Sequence, residues 1–445
     1  MLFVTSLCVI SCLYGIVAAR CEVFPYTTVR DAVLAARALV EVYAGGTTAE
    51  GAGDVLPGPT VRNYAGVKDD TLLLFSGGIG CLPEKSSTGS TLAWLMDRSG
   101  DIKHVWEYDP SIWSNLEWVK AAPFKAEIPP IGLHLYEDGG LLVSFHGLHT
   151  WPYAVGIARY DRDSRLLWKR ELLNHHWFTV AEDGRIYVAG MRLLDSPVQI
   201  GDTAAQIHSV DGKISDDTVM ILDAEGNVLE EISMLRALID SDCIGLFQGA
   251  TDDNIHGFTR DPIHLNDIRL VTEEVARRHA GLQEGDLLLS FRSLNTIALL
   301  DGKSKRFKWI SSGATIRQHA PRFWEDGVLV LDNQGGAKST GGSRLVLVDL
   351  ATQVPTTIFP RPSVPLPENC FFTPVAGHID VSPSDRALVA LTEEGDVWEV
   401  DLRTGEVLWR YTHVDPATRA RFPIYTAKYV DNVRFPLNQV LETNQ

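Results

Sequence analysis

From about residue 70 onward, short runs rich in Val, Ile, Leu and aromatic residues alternate with Gly/Asp/Asn turns. Residues 71–76, 141–145, 185–188, 287–291, 328–331 and 387–391 are examples, and their length and bounding turns predict β-strands. One longer unit recurs: an apolar pair, an Asp, a turn, then a Trp on the far strand. It reads LMDRSGDIKHVW (Asp97, Trp106), RYDRDSRLLW (Asp161, Trp168), LLDGKSKRFKW (Asp301, Trp309) and EVDLRTGEVLW (Asp401, Trp409). ILDAEGNVLEE (Asp223) and LVDLATQVPTT (Asp349) are copies without the Trp. An Asp at the head of a turn closes a tight hairpin by accepting from the backbone just beyond it. Six copies spaced roughly 50 to 80 residues apart predict a six-bladed β-propeller, because each small sheet needs neighbours to bury its faces. The longest interval, between Asp223 and Asp301, contains TEEVARRHAGL (272–282), whose pattern predicts a helical insertion.

A second repeat precedes the middle strand of successive blades: a His, an acidic turn, then an apolar strand. It appears as GLHLYEDGGLLVSF (His134), HHWFTVAEDGRIYVAG (His175, His176), QHAPRFWEDGVLVLDN (His319) and GHIDVSPSDRALVAL (His378). The blade bearing the insertion has HLNDIRLV (His264, Asn266) and DLLLSFRSLN (Arg292, Asn295) instead. Equivalent positions of successive blades surround one axis, so several imidazoles are expected to converge at one end of the central channel. Neutral imidazole can act as nucleophile or base, and a second imidazole can protonate a leaving oxygen. Arg and Asn beside them suit the oxygens of an anionic tetrahedral group. Trp177, Phe178, Phe323 and Trp324 are available to line the channel for an aromatic substrate, or to pack between blades.

Before the propeller, residues 2–19 carry no charge and end at Arg20. The length favours an uncleaved membrane anchor over a cleaved signal, and either places the body outside the cytoplasm, in the periplasm or an equivalent compartment. Residues 28–43 (TVRDAVLAARALVEVY) have helical apolar spacing and predict a short amphipathic helix, and 44–57 is a Gly/Ala-rich linker. The expected organisation is therefore an anchor over 1–20, helix and linker over 21–69, and the propeller over 70–445.

Composition narrows the function. A net charge of −17 argues against nucleic-acid binding, which needs clustered Lys and Arg, and leaves any anion site to be made locally. Of six cysteines, Cys8 and Cys12 lie in the apolar segment, and Cys21, Cys81, Cys243 and Cys370 could supply one disulfide in an oxidising compartment. No His/Cys spacing suits zinc, so no metal and no cofactor is expected. Nucleophile elbows, Walker loops and Rossmann glycine motifs are absent from the sequence.

DPIHLNDIRLV, GDLLLSFRSLNTIALLD and IRQHAPRFWEDGVLVLDN, in that order, resemble the arylsulfotransferase (aryl-sulfate sulfotransferase) family, and the apolar N-terminus resembles its membrane-anchored bacterial branch. The resemblance implies a six-bladed propeller that moves a sulfuryl group between phenols through a sulfo-histidine. It implies His319 as nucleophile, His264 and Asn266 as contacts to the sulfuryl oxygens, Arg292 as anion binder, and His175 or His176, with His176 favoured, as the remaining histidine. Family members usually follow that histidine with an acidic residue, whereas this chain has Trp177. The competing reading is a non-catalytic, membrane-anchored propeller that binds or assembles a membrane-protein partner; a hydrolase of sulfate or phosphate esters is the third. Convergence of His264, Arg292 and His319 on one pocket separates the first reading from the second.

Overall fold

The computed structural model describes residues 6, 10–17, 24, 60–77, 91–120, 127–148, 152–196, 198–199, 206–207, 214–247, 261–367, 370–414 and 421–430. Six antiparallel sheets of four or five strands form the blades of a propeller. Blade 1 places Ile424–Val430 innermost, followed outward by Leu72–Gly77, Thr91–Met96 and Ile102–Glu107. Blades 2 to 5 begin at the axis with Pro130–Leu135, Asn174–Val180, Leu265–Leu270 and His319–Trp324. Blade 6 begins with His378–Val381 and ends at its rim with Val61–Asn63, earlier in the chain than the expected start at 70. Both ends of the propeller sequence thus contribute to closure: one supplies the inner strand of blade 1, the other the outer strand of blade 6.

Middle strands such as Leu72–Gly77 and Gly327–Asp332 are buried throughout, which explains why they read as continuous apolar runs instead of alternating ones. Six hydrophobic clusters fill the spaces between neighbouring blades, one for each pair. All six repeat aspartates do what their spacing predicts. Each accepts, through one carboxylate oxygen, from two backbone N–H groups of the turn that follows it. The repeat tryptophans bolt blade to blade. Trp106 donates its indole N–H to the Gly139 carbonyl of blade 2, Trp309 to Leu350 of blade 5, and Trp409 to Arg98 of blade 1. Trp168 lies against Gly226, where φ is +80° and a Cβ would stand 2.8 Å from the indole, so that turn requires glycine.

The seam between blades 6 and 1 carries a buried ion pair. Arg98 grips Glu399 in two hydrogen bonds of 2.6 and 2.9 Å and Asp69 in a third of 2.6 Å. A helix runs Glu273–Arg278, capped by the Thr272 hydroxyl, inside the segment expected to be helical. Cys243 and Cys370 carry free thiols and so form no disulfide with each other, while Cys21 and Cys81 lie outside the described residues.

The expected anchor helix is not supported. Among the described residues no helix is long and apolar enough to cross a membrane. In the N-terminal unit residues 6 and 10–17 are helical, with the Tyr14 hydroxyl donating to the Phe24 carbonyl at 2.7 Å; the other residues of the apolar segment and the expected helix at 28–43 lie outside the described residues.

Candidate active site

The innermost strands of blades 3, 4 and 5 are irregular where they begin, and the site is built on those irregularities. The register slips opposite His175–Trp177, around Asn266, and around Ala320 and Pro321. His176, His264 and Ala320 have φ of +52°, +57° and +53°, in the left-handed region that non-glycine residues seldom occupy. Bulges of this kind re-aim side chains that a regular strand would send between the blades. Buried hydrogen bonds hold each one in place. The Ser144 hydroxyl donates to the His176 carbonyl at 2.5 Å, Arg292 N–H to the His264 carbonyl at 2.9 Å, and Leu265 N–H to Asp217 at 3.1 Å. Gln318, fully buried, donates its amide to the Phe291 and Thr296 carbonyls of blade 4 and fixes the approach to His319.

His176 sits at the centre of the cluster. Its ring centroid lies 4.8 Å from that of His264, 4.9 Å from His175 and 5.0 Å from His146. Burial and the neighbouring His264 and His175 charges push its pKa well below the ordinary histidine value. Burial likewise brings His319 and His146 to about 3 and His175 to about 4, so these rings are neutral at physiological pH.

The tautomer of His319 follows from its partners. Its Nδ1 faces the Asn333 side-chain oxygen at 2.8 Å and the Arg317 carbonyl at 3.1 Å, both acceptors, so Nδ1 carries the proton and Nε2 the free lone pair. Asn333 cannot turn its amide over, because its NH2 donates to the Thr373 and Ala376 carbonyls. Arg292 lies near enough for its charge to depress the His319 pKa further, after burial. Its guanidinium makes no hydrogen bond or ion pair with a described residue, which leaves a partly buried cation available to an anion.

His264 donates through Nδ1 to Asp261, whose same oxygen also accepts from the Tyr153 hydroxyl at 2.8 Å. Burial opposes ionisation of Asp261, but the His264 charge and these two hydrogen bonds outweigh it and bring the carboxyl to about 2. On the other side of His176, the His175 and His176 Nδ1 atoms share a proton at 2.7 Å. His175 Nε2 in turn faces Asp217 at 3.4 Å, longer than a formed hydrogen bond. Burial, reinforced by the Asp261 charge, raises the Asp217 pKa well above the carboxylate range.

The structure therefore brings His176, His264, His319 and Arg292 together, with His175 behind His176. Asn266 and Asn295 make hydrogen bonds between blades. The Asn266 NH2 donates to the Gln318 carbonyl at 2.8 Å in a fully buried setting, and Asn295 accepts from Arg317 N–H at 2.8 Å. Both tie blade 4 to the segment that delivers His319. His134 and His378 also stand on innermost strands, His134 further along and His378 at the rung of His319, where it accepts from Arg322 at 2.9 Å. Trp177 turns away from the cluster onto Ile131 and Tyr425 and touches the His378 ring, and the carboxylates near the histidines come from Asp261 and Asp217 instead. Phe178, Phe323 and Trp324 pack between blades, not along the channel. Asp261, Tyr153, His146, Asp217 and Asn333 are additions that the repeats alone do not single out.

Comparisons with known proteins agree with this geometry at the level of family. No curated protein sequence matches the chain. Among solved structures, a protein of unknown function from Bacteroides caccae matches at 11% identity and a TM-score of 0.47, covering 81% of this chain and 98% of that one. A putative 6-phosphogluconolactonase from Bacteroides fragilis (11%, TM-score 0.38, 82% and 99% covered) and a virginiamycin B lyase from Staphylococcus aureus (11%, TM-score 0.33, 65% and 72% covered) match more loosely. The family model described as arylsulfotransferase (ASST) matches residues 132–413, more than half of the chain and all of the clustered histidines, and the chain belongs to the arylsulfotransferase family.

Proposed function

We propose that the protein transfers a sulfuryl group from an aryl sulfate to a phenolic acceptor by way of sulfo-His319. The observation that carries this reading is the His319 tautomer: a neutral, buried imidazole whose Nδ1–H is committed to Asn333 and Arg317, leaving Nε2 as an unencumbered nucleophile. In the first half-reaction the Nε2 lone pair forms a bond to sulfur while the S–O bond to the aryl group breaks. The electron pair leaves on the aryl oxygen, which takes a proton from His264. The ionised Asp261 orients that ring and offsets positive charge on it. Arg292 pairs with the non-bridging sulfuryl oxygens. In the second half-reaction the acceptor phenol returns a proton to His264, its oxygen attacks sulfur, and the N–S bond breaks back to the Nε2 lone pair. His176, neutral and next to His264, supports proton movement within the pair.

Export of the chain, read from its apolar N-terminal sequence, belongs to the same proposal, and cell fractionation tests it. The catalytic part is tested with a chromogenic aryl sulfate and a phenol acceptor. Wild type turns over, and His319→Ala loses activity by at least about a thousandfold, the scale expected for removing a covalent nucleophile. Turnover by the variant within about tenfold of wild type would exclude His319 as the nucleophile.

A further inference from the structure

Beyond the histidine cluster the innermost strands bring a second set of residues to a common level. His134, Thr179, Arg269, Arg322, Asp380 and Lys428, one from each blade, occupy the same register position. Each pairs with a second-strand residue whose third-strand partner lies two residues before the hairpin aspartate. Arg269, for example, pairs with Leu288 and Leu288 with Leu299, ahead of Asp301. All six are partly exposed, although the residue immediately before each is buried, so each blade turns one partly exposed side chain away from the inter-blade packing at the same level. Because the bulges absorb residues, this belt lies only two to four rungs further along the strands than His176, His264 and His319, which at the rise of a β-strand is roughly 7 to 13 Å.

The charges on the belt do not cancel. Arg269, Arg322 and Lys428 bring three cations, against Asp380 and the fully buried Asp267, which Arg269 and Arg322 share at 2.9 and 3.1 Å. The side chains of Arg269 and Arg322 are only 18% and 11% exposed. Burial and the two guanidinium charges lower the Lys428 ammonium to about 8, with Asp380 opposing, so charges from blades 1 and 4, on opposite sides of the ring, act on one another. Lys428 spends one donor on the Leu133 carbonyl at 3.0 Å and keeps the others. His134, brought to about 3 by burial, is neutral and offers an N–H, and Thr179 a hydroxyl.

From this arrangement we infer that the belt binds a small inorganic oxyanion, sulfate or phosphate, in the channel behind the histidine cluster. A single such ion on the axis is reached by donors from blades 1, 2, 3, 4 and 5 and supplies the missing negative charge. The inference does not depend on sulfuryl transfer, because none of these residues takes part in it. It is tested by titrating sodium sulfate calorimetrically against sodium chloride of matched ionic strength, in an Arg292→Gln background that removes the anion-binding cation of the histidine cluster. Sulfate binding persists in Arg292→Gln, weakens at least about tenfold when Lys428→Met is added, and tightens when Asp380→Asn is added, with phosphate competing at the same site. Absence of sulfate binding in Arg292→Gln, or an affinity indifferent to both charge changes, would overturn it. Asp380→Asn keeps an acceptor for Tyr429 N–H, so it decides the question even if Lys428→Met does not fold.

Discussion

Replacing Asp261 by Asn changes one charge and almost no volume, and it separates the assigned roles of the site. In the wild type one Asp261 oxygen accepts from both His264 and Tyr153, and the side chain is only 13% exposed. Two contributions are lost with the charge. A charge-assisted hydrogen bond becomes a neutral one, a difference of about 1 kcal/mol. The positive charge on the His264 ring also loses a counter-charge about 5 Å away, worth about 3 kcal/mol at an effective dielectric of about 20. Together these make about 4 kcal/mol, or about a thousandfold in kcat. KM for the anionic donor stays within about threefold or falls, because Arg292 binds the anion and the site has become more positive. The assay is release of phenol from a series of aryl sulfates whose leaving phenols span a wide range of acidity. A proton from His264 matters most for the least acidic phenols, so the defect of Asp261→Asn grows along the series. A loss of the same size for every leaving group, in a variant whose melting temperature matches wild type, would refute His264 as the general acid.

Two further predictions concern stability. Glu399→Ala strips the bidentate partner from Arg98 at the seam between blades 6 and 1, and a buried guanidinium left without it costs about 3 kcal/mol in urea unfolding, the low end for a broken buried pair because Asp69 still holds Nε; a loss under about 1 kcal/mol would contradict a role in ring closure. Stability also falls with acid. Asp97, Asp301 and Asp349 have pKa values lowered in the folded state, the latter two chiefly by their turn N–H groups and Asp97, against the opposing effect of burial, by Lys103 and its turn, and Asp261 is held at about 2. A lowered folded pKa gives stability that is present above the unfolded value of about 4 and is lost as pH drops through the folded one. The unfolding midpoint is therefore expected to decline in two stages, first below about pH 6.5 as the buried neutral histidines become charged on unfolding and then more steeply between about pH 4 and 2 as these carboxylates are protonated. Absence of the second stage would argue against the turns as stabilising elements.

How much of this was legible in the sequence depends on whether a residue's partner lies in the same repeat. Each hairpin aspartate bonds to the backbone two to four residues on, so the local string contains the whole interaction and the blade count could be read from it. The histidines were legible for a related reason, since repetition places equivalent residues around one axis. Partners that cross blades left no local signal. Asp217, on the third strand of blade 3, bonds to Leu265 N–H of blade 4, and Tyr153 and His146 come from blade 2, while Asn333 shares blade 5 with the His319 that it orients but stands fourteen residues beyond it. Trp177 shows the same limit from the other side. The expected acidic neighbour of His176 is missing from the sequence, but the bulge sends position 177 to the axial contact with Ile131 and Tyr425, while Asp261 supplies an ionised carboxylate beside His264.

The site is also where the fold departs most from ideal geometry, and the departures are supported from outside it. His176, His264, Arg317 and Ala320 all have positive φ, at a cost of order 1 kcal/mol or more for each. A single blade could not hold them, because each is pinned by a different neighbour. Blade 2 holds His176 through Ser144, blade 3 holds the start of blade 4 through Asp217, and blade 4 holds the approach to His319 through Asn266, Asn295 and the Phe291 and Thr296 carbonyls that bind Gln318. Each histidine is thus positioned by the blade before it, and that chain of support exists only while the ring is closed. Weakening the distant Arg98–Glu399 seam should therefore loosen the site before the blades themselves unfold, so that activity in Glu399→Ala is lost at lower urea concentrations than β-structure.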